Sequence, residues 1–183
     1  MKNSLKTKSV IIAKNFTFHE CDSTIDIGKD VYLYDTTIEI GKGSSLLIED
    51  NCHFRGGKIS IGSYCNVHIK KGLSVTSRCV IRCIEATNVL IGEDCLIASN
   101  VTLRTSDGHR IYNSDNERIN RSQDIIIGDH VWLGDDVLIL KGVRIGDGCV
   151  VGARSVVTKS FDPNNLIVGS PAKSVKTQIR WEH

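Results

Sequence analysis

The sequence predicts an all-β fold in which short strands wind into a three-sided coil. Three observations carry that prediction. Ile-Gly or Val-Gly pairs recur at 27–28, 40–41, 61–62, 91–92, 127–128, 145–146 and 151–152. An aliphatic residue then falls on every sixth position at Ile127, Leu133, Ile139, Ile145, Val151 and Val157. Aromatic residues make up only 5% of the chain, which suits a narrow core filled by Ile, Val and Leu. A helix does not account for this beat, because a turn of about 3.6 residues would smear the aliphatics around its axis.

A six-residue unit holds one short strand and one turn, and alone it buries almost nothing. Stacking lets each strand pair with those above and below, while the inward aliphatics pile into a continuous core. Three units close one coil, so residues eighteen apart, such as Ile127 and Ile145, are expected to stack. A small or β-branched residue sits four places after each opening aliphatic, at Val131, Val137, Val143, Cys149 and Ser155. The Gly and Asp-Gly positions are expected to supply the unusual backbone angles of the turns.

In order along the single domain 1–183, residues 1–25 lack the beat and read as a loosely structured N-terminal cap. Residues 26–168 form the coils. Their first part slips, since Leu33 follows Ile27 by six residues but Ile40 follows Leu33 by seven, and Ile69, Val75 and Ile81 restore the step. Ile91, Ile97 and Leu103 open a regular coil, yet the beat resumes only at Ile127, eighteen residues later than position 109, where it should fall. Arg104 to Asp124 therefore reads as a loop extruded from the coil. Gly169 and Pro171 redirect the chain into a C-terminal tail, 169–183.

The totals exclude several classes. A formal net charge of +2 gives no electrostatic footprint for nucleic acid. The apolar run 10–13 is too short for a secretory core, and no stretch approaches the ~20 residues that span a bilayer, so a cytoplasmic protein is expected. The seven cysteines form no CxxC pair and read as reduced thiols, with Cys52, Cys65, Cys95 and Cys149 on one buried rung. No metal is expected.

A long loop in a compact repeat is usually functional or disordered. This one carries Arg104, Asp107, His109, Arg110, Tyr112, Asn120 and Arg121, many hydrogen-bonding groups in one place, while Ser114 to Arg118 reads as a solvated flap. His109 follows Gly108 where the loop leaves the scaffold. A histidine titrates near neutrality and can take a proton from a hydroxyl, so His109 is a candidate general base, against the alternative of an ordinary surface histidine. Asp107 either orients His109 or simply forms the turn before Gly108. Asn120 is a candidate to tie down the loop.

The segments "IASNVTL", "TSDGH", "RINRSQDI", "IIIGDHVWLG", "VLILKGVRIGDGCVVGARSVVTK" and "IVGSPAKSVK", with Trp181 near the end, resemble the hexapeptide-repeat acetyltransferases. The resemblance runs from Ile91 through Val175 and is strongest to the O-acetyltransferases of bacterial capsule, lipopolysaccharide and exopolysaccharide synthesis. It implies a left-handed parallel β-helix, a homotrimer, acetyl-CoA as donor and a carbohydrate hydroxyl as acceptor. It implies catalytic roles for His109 and Trp132, and a coenzyme groove between subunits faced by Asp135, Ala153, Thr158, Lys159, Lys173 and Lys176. The galactoside and maltose enzymes carry an asparagine about thirty residues before the histidine; here that place holds Arg78 and Cys79. Arg78 is instead a candidate to meet a carboxylate, as on sialic or uronic acids, or a phosphate; Arg104, Tyr112 and Asn120 are candidates to bind the acceptor, with Tyr112 stacking on the sugar, and Asp107 is a candidate to touch it. A γ-class carbonic anhydrase is rejected, because His68 and His109 lack the third ligand, position 104 being Arg. The alternative kept open is an N-acetyltransferase acting on a nucleotide-linked amino sugar.

Overall fold

A computed structural model describes residues 2–8 and 15–183; the apolar run 10–13 lies outside the described residues. Every regular element among them is a β-strand. One face is a seven-stranded parallel sheet. It runs from Ser4–Thr7 through Thr24–Ile27, Ser45–Ile48, Asn66–Ile69, Asn88–Ile91 and Ile125–Ile127 to Arg144–Ile145. The other two faces belong to one thirteen-stranded sheet, because Tyr32–Ile40 and His53–Ile61, nine residues each, run around the corner between them. The second face continues through Ser74–Ser77, Leu96–Ser99, Trp132–Leu133, Val150–Val151 and Leu166–Gly169. The third continues through Cys79–Cys83, Thr102–Arg104, Leu138–Ile139 and Val156–Val157.

The alternation read from the sequence sets what lies inside. Ile27, Ile48, Ile69, Ile91, Ile127 and Ile145 form a column on the first face, each at most 1% exposed. Burying such a side chain contributes about 1.5–3 kcal/mol, and the columns of the other faces repeat the gain. The eighteen-residue spacing holds in the C-terminal coils, where Ile127 pairs with Ile145 and Leu133 with Val151. Nearer the N-terminus the spacing lengthens to twenty-one between Leu46 and Val67 and twenty-two between Val67 and Val89. The added residues sit at corners: Glu85 and Ala86 both take positive φ, 60° and 54°, so a single regular turn is not enough there. Part of the stretch expected as a cap also stacks as coil, since Ser4–Thr7 pairs with Thr24–Ile27 and Asn15–Phe18 with residues 37–40.

The turn chemistry differs from the sequence expectation. At the corner between the first and second faces, positive φ falls on Asp30, Asn51, Asp94, His130 and Asn164 as well as on Gly72 and Gly148. Asn and Asp tolerate this left-handed backbone best among non-glycine residues. The Asn51, Gly72, Asp94, His130, Gly148 and Asn164 N–H groups donate to the coil before them, His130 to the Glu93 carbonyl at 2.7 Å and Asp94 to the Lys71 carbonyl at 3.0 Å. The glycines that follow the opening aliphatics, such as Gly134 after Leu133, serve a different need. A Cβ on Gly134 would stand 2.8 Å from the Ala153 backbone nitrogen, so its place in the repeat is set by the next coil's approach and not by φ.

Cys52, Cys95 and Cys149 line that same corner, whereas Cys65 follows Tyr64 at the corner between the third and first faces, so the four do not share one rung. All are buried and unbridged, and Cys21 is exposed. The Cys95 and Cys149 thiols donate to the Gly128 and Asp162 carbonyls at 3.2 and 3.1 Å, a weak bond from coil to coil. Ala172–Lys176 folds back antiparallel on Leu166–Gly169, and the tail then returns to the coil through Ile179, whose N–H donates to the Asn164 carbonyl at 3.0 Å.

Candidate functional site

The extruded loop leaves the corner between the third and first faces, after Thr102–Arg104, and rejoins at Ile125–Ile127. Its neck is closed by backbone. The Thr105 N–H donates to the Arg82 carbonyl and the Gln123 N–H to the Thr105 carbonyl, both at 3.0 Å. Thr105 is wholly buried, and its hydroxyl accepts from the Ile84 N–H at 3.1 Å, which nails the loop's first residue to the coil below.

Asn120 is the clamp of the loop. Its Nδ2 donates to Asp107 Oδ2 at 2.9 Å and to the His109 carbonyl at 2.7 Å, while its Oδ1 accepts from the Ile111 N–H at 2.7 Å. Only 7% of Asn120 is exposed. Both ends of the amide are thus spent inside the protein, so its expected contact with an acceptor is corrected: it fixes the loop and offers nothing outward. Asp107 is corrected too. Its carboxylate takes the Lys141 ammonium and the Asn120 amide, and among the described residues it makes no hydrogen bond to the His109 ring. The Lys141 ammonium, with the Asn120 amide adding to it, holds the Asp107 carboxyl below the usual carboxylate range.

These contacts aim the backbone of His109, whose ring is exposed and has no partner among the described residues. Gly108, at φ 90°, makes the turn just before it, and its N–H donates to Ser106 Oγ at 3.1 Å. Arg104 Nε donates to the Ser106 carbonyl at 2.9 Å. Its guanidinium lies 3.4 Å from where a Gly108 side chain would begin, so it sits beside the histidine's turn. The stretch Ser114 to Arg118 is more than a solvated flap. Tyr112 bridges to Arg118 in an antiparallel pair, and Arg118 Nη2 meets Glu85 Oε2 at 2.6 Å. The outer arm leaves Ile111, Tyr112 and Ile119 exposed.

Trp132 lies on the second face, 38% exposed, away from the corner that carries the loop. It meets a second aromatic group at the tail. Trp181 is 6.0 Å from Trp132 between ring centroids and stacks on His130 at 4.0 Å with planes 8° apart. Trp181 Nε1 donates to the His130 carbonyl at 2.9 Å, and His130 Nε2 faces the Trp181 carbonyl at 3.1 Å. Asp94 Oδ2 faces His130 Nδ1 at 3.0 Å, and its Oδ1 faces His183 Nε2 at 3.2 Å. The Trp181 carbonyl first, and the Asp94 carboxylate after it, raise the His130 pKa. Asp94, His130 and His183 bring their metal-ligating atoms within 4.8 Å of one another.

The residues expected along the coenzyme groove are exposed but scattered over one chain. Asp135 Oδ1 accepts from the Ser99 N–H at 2.8 Å and so serves the coil, and Ala153 is exposed near it in the next coil. Thr158 and Lys159 follow Val156–Val157 on the third face, and Lys173 and Lys176 ride the antiparallel strand. Lys159 and Lys173 share a surface hollow with Arg144. One chain therefore gathers Asp107, Asn120, Lys141 and Arg104 around His109 but leaves Trp132 elsewhere. Sequence reading passed over Lys141 and the His130–Trp181 pair, because each partner lies more than thirty residues away along the chain and a charge at a turn looks like plain surface.

Fold and site together define a hexapeptide-coil protein with one extruded histidine loop. The family model for the bacterial transferase hexapeptide (six repeats) matches residues 124–159. Polysialic acid O-acetyltransferases of Neisseria meningitidis and of Escherichia coli O1:K1 / APEC are each 38% identical, over 76% and 69% of this chain. The chain spans only 65% and 39% of those relatives' own lengths. The solved structure of the polysialic acid O-acetyltransferase OatWY superposes with a TM-score of 0.87 at 34% identity, covering all of this chain and 92% of that one. The chain belongs to the bacterial hexapeptide acetyltransferase family, and its coil is the left-handed parallel β-helix of that family. Among the described residues no helix is long and apolar enough to cross a membrane.

Proposed function

We propose that the chain is an acetyl-CoA-dependent O-acetyltransferase that works in the cytoplasm on a sugar hydroxyl of a cell-surface polysaccharide. The observation that carries this reading is the exposed, unpartnered imidazole of His109, set on a clamped loop in a chain that matches an O-acetyltransferase along its whole length. An alcohol is a weak nucleophile. His109 takes its proton as the oxygen attacks the thioester carbonyl, and the imidazolium returns that proton to sulfur as the C–S bond breaks. Transfer is direct. Burial pushes the Cys52 thiol up to about 11 and the Cys79 and Cys95 thiols up to about 12, so these remain neutral and enclosed.

The working unit is a homotrimer. The loop arm displays Ile111, Tyr112 and Ile119, and Trp132 is exposed on another face, so a cleft between copies supplies what one chain leaves apart. Asp135, Ala153, Thr158, Lys159, Lys173 and Lys176 then line the donor, with the lysines toward its phosphates. Arg78, Arg104 and Tyr112 face the acceptor.

The test uses labelled acetyl-CoA with oligosialic acid and a panel of capsule and O-antigen glycans. His109→Ala is expected to lose transfer by roughly 10²–10⁴-fold while oligomer mass and coenzyme binding stay unchanged. Full activity in that variant removes the base assignment. Label that survives mild alkali is an amide and not an ester, and it would point to an amino-sugar acceptor instead.

A further inference from the structure

We propose that Asp94, His130 and His183 form a binding site for a divalent transition-metal ion of the zinc class, and that the ion ties the C-terminal tail to the corner between the first and second faces. The site is separate from the histidine loop and needs no acyl transfer.

The corner builds the site by stacking. Leu96 pairs with Trp132, so Asp94 and His130 hold the same place in successive coils, and both take left-handed backbone, at φ 54° and 52°. Their side chains leave the corner side by side. The column has glycine on either side of this pair, Gly72 before it and Gly148 after it. Asp94 Oδ1 lies 3.8 Å from where a side chain on Gly72 would begin. Gly148 and His130 line one hollow with Ile179, Arg180 and Trp181 of the returning tail. The two glycines thus leave the pair uncrowded. Closely spaced ligands in the sequence, whose lack led to no metal being expected, are not needed where stacked coils bring together residues thirty-six apart.

The donors converge. Among the described residues Asp94 pairs with no lysine or arginine; Oδ2 faces His130 Nδ1 at 3.0 Å and Oδ1 faces His183 Nε2 at 3.2 Å. The nearby cations Lys71 and Arg180 are taken up by Glu93 and Glu182. A carbonyl only accepts, so the Trp181 carbonyl, 3.1 Å from His130 Nε2, holds the hydrogen of the neutral ring on Nε2 and leaves the Nδ1 lone pair aimed at the carboxylate. Two acceptors aimed at each other need a cation between them. A hydrogen bond from the far ring nitrogen to a backbone carbonyl is also the support that metal-bound histidines usually carry. With bonds of about 2.0–2.1 Å, two donors on one tetrahedral zinc stand roughly 3.4 Å apart. The two carboxylate–imidazole spacings are close to that, and all three ligating atoms lie within 4.8 Å of one another. A swing of the exposed His183 side chain closes the remaining gap. Two imidazoles with one carboxylate suit zinc and its neighbours over magnesium or calcium, and three protein ligands leave a fourth position to water. The ion joins two coils to the tail. Trp181 stacks on His130 at 4.0 Å and lies 6.0 Å from Trp132, so the ion holds one tryptophan beside the other.

Zinc chloride is titrated into the full chain slightly above neutral pH, against a chromophoric chelator, with a phosphine reductant keeping the cysteines as thiols. One ion per chain is expected. Asp94→Asn and His183→Ala, both at exposed positions, are each expected to weaken binding by at least roughly tenfold, since loss of even an outer partner costs about that. Their melting midpoints in EDTA match the parent's, so a lost ion is not a lost fold. His68→Ala, at an imidazole paired with Glu49 on the first face, leaves binding unchanged. Cobalt(II) gives visible d–d bands without thiolate charge transfer. In a Trp132→Phe protein zinc lowers acrylamide quenching of Trp181, and EDTA restores it. Retained affinity in both variants overturns the site, and so does a thiolate band, which would put the ion on cysteine. Magnesium binding as tightly as zinc also overturns it, since that would be attraction to a carboxylate alone. Tight zinc binding with unchanged Trp181 quenching overturns the tie to the tail.

Discussion

Replacing Asn120 by alanine removes three hydrogen bonds at a residue only 7% exposed, and the cost can be worked from its partners. The bond to the Asp107 carboxylate, 2.9 Å, is to a charged group and contributes about 1.5 kcal/mol or more. The bonds to the His109 carbonyl and from the Ile111 N–H, both 2.7 Å, are between neutral groups and contribute about 1 kcal/mol each. Together these favour the closed loop by about 3–4 kcal/mol, or a factor of roughly 10²–10³ in its opening equilibrium. The cost falls on the loop and not on the coil, because the coil strands pair with one another without it. Hydrogen exchange is the assay. The Ile111 amide is expected to lose about two orders of protection, while the Leu138 amide, bonded to the Ser155 carbonyl at 2.9 Å, keeps its own. Acetyl transfer falls by roughly 10–10²-fold, as the imidazole is no longer held in one place. Ile111 exchange within twofold of the parent protein would refute the clamp.

Two further outcomes follow from the same geometry. Gly134→Ala drives a Cβ to 2.8 Å from the Ala153 backbone nitrogen, so it is expected to lower stability by about 1–3 kcal/mol in a thermal melt; an unshifted midpoint would show that the coils can spread. For His130 the folded pKa is raised from 6.5 by the Trp181 carbonyl and Asp94, so tail docking is fully supported below that ordinary value and is lost as pH rises through the raised one. In a Trp132→Phe protein, acrylamide quenching of Trp181 should therefore increase on the alkaline side, and quenching that is flat across that range removes the latch.

The coil was legible because its rule is local. A six-residue beat of aliphatics needs only the sequence to be seen, and Ile127, Leu133 and Ile139 lie on three successive faces as the beat requires. The loop was legible as a failure of that beat. What escaped is set by neighbours in space. The reason for Gly134 is a residue one coil away, and the partner of Asp107 is Lys141, thirty-four residues on. The slip of the N-terminal coils was visible, but the place of the added residues was not, because those at Glu85 and Ala86 belong to corners, where side-chain periodicity says nothing. Asn120 was singled out for its chemistry, but which side of it faces the protein depends on Asp107, His109 and Ile111 closing around it.

The placing of the loop explains how one scaffold can carry both order and reactivity. Ile91 pairs with Ile127, Ile97 with Leu133 and Leu103 with Ile139, each thirty-six residues apart, double the regular spacing. Every ladder therefore passes the insertion without losing a rung, and the extra residues leave through a single corner whose neck is the Thr105–Gln123 bond. An insertion within a strand would have broken a sheet and exposed its column of Ile, Val and Leu. At a corner it disturbs neither, so the loop's sequence is free to answer to chemistry while the core answers to packing. The same separation predicts where damage spreads. Loosening the loop leaves the coil folded, whereas a cavity in the coil shifts the corner from which the loop hangs, and with it the histidine.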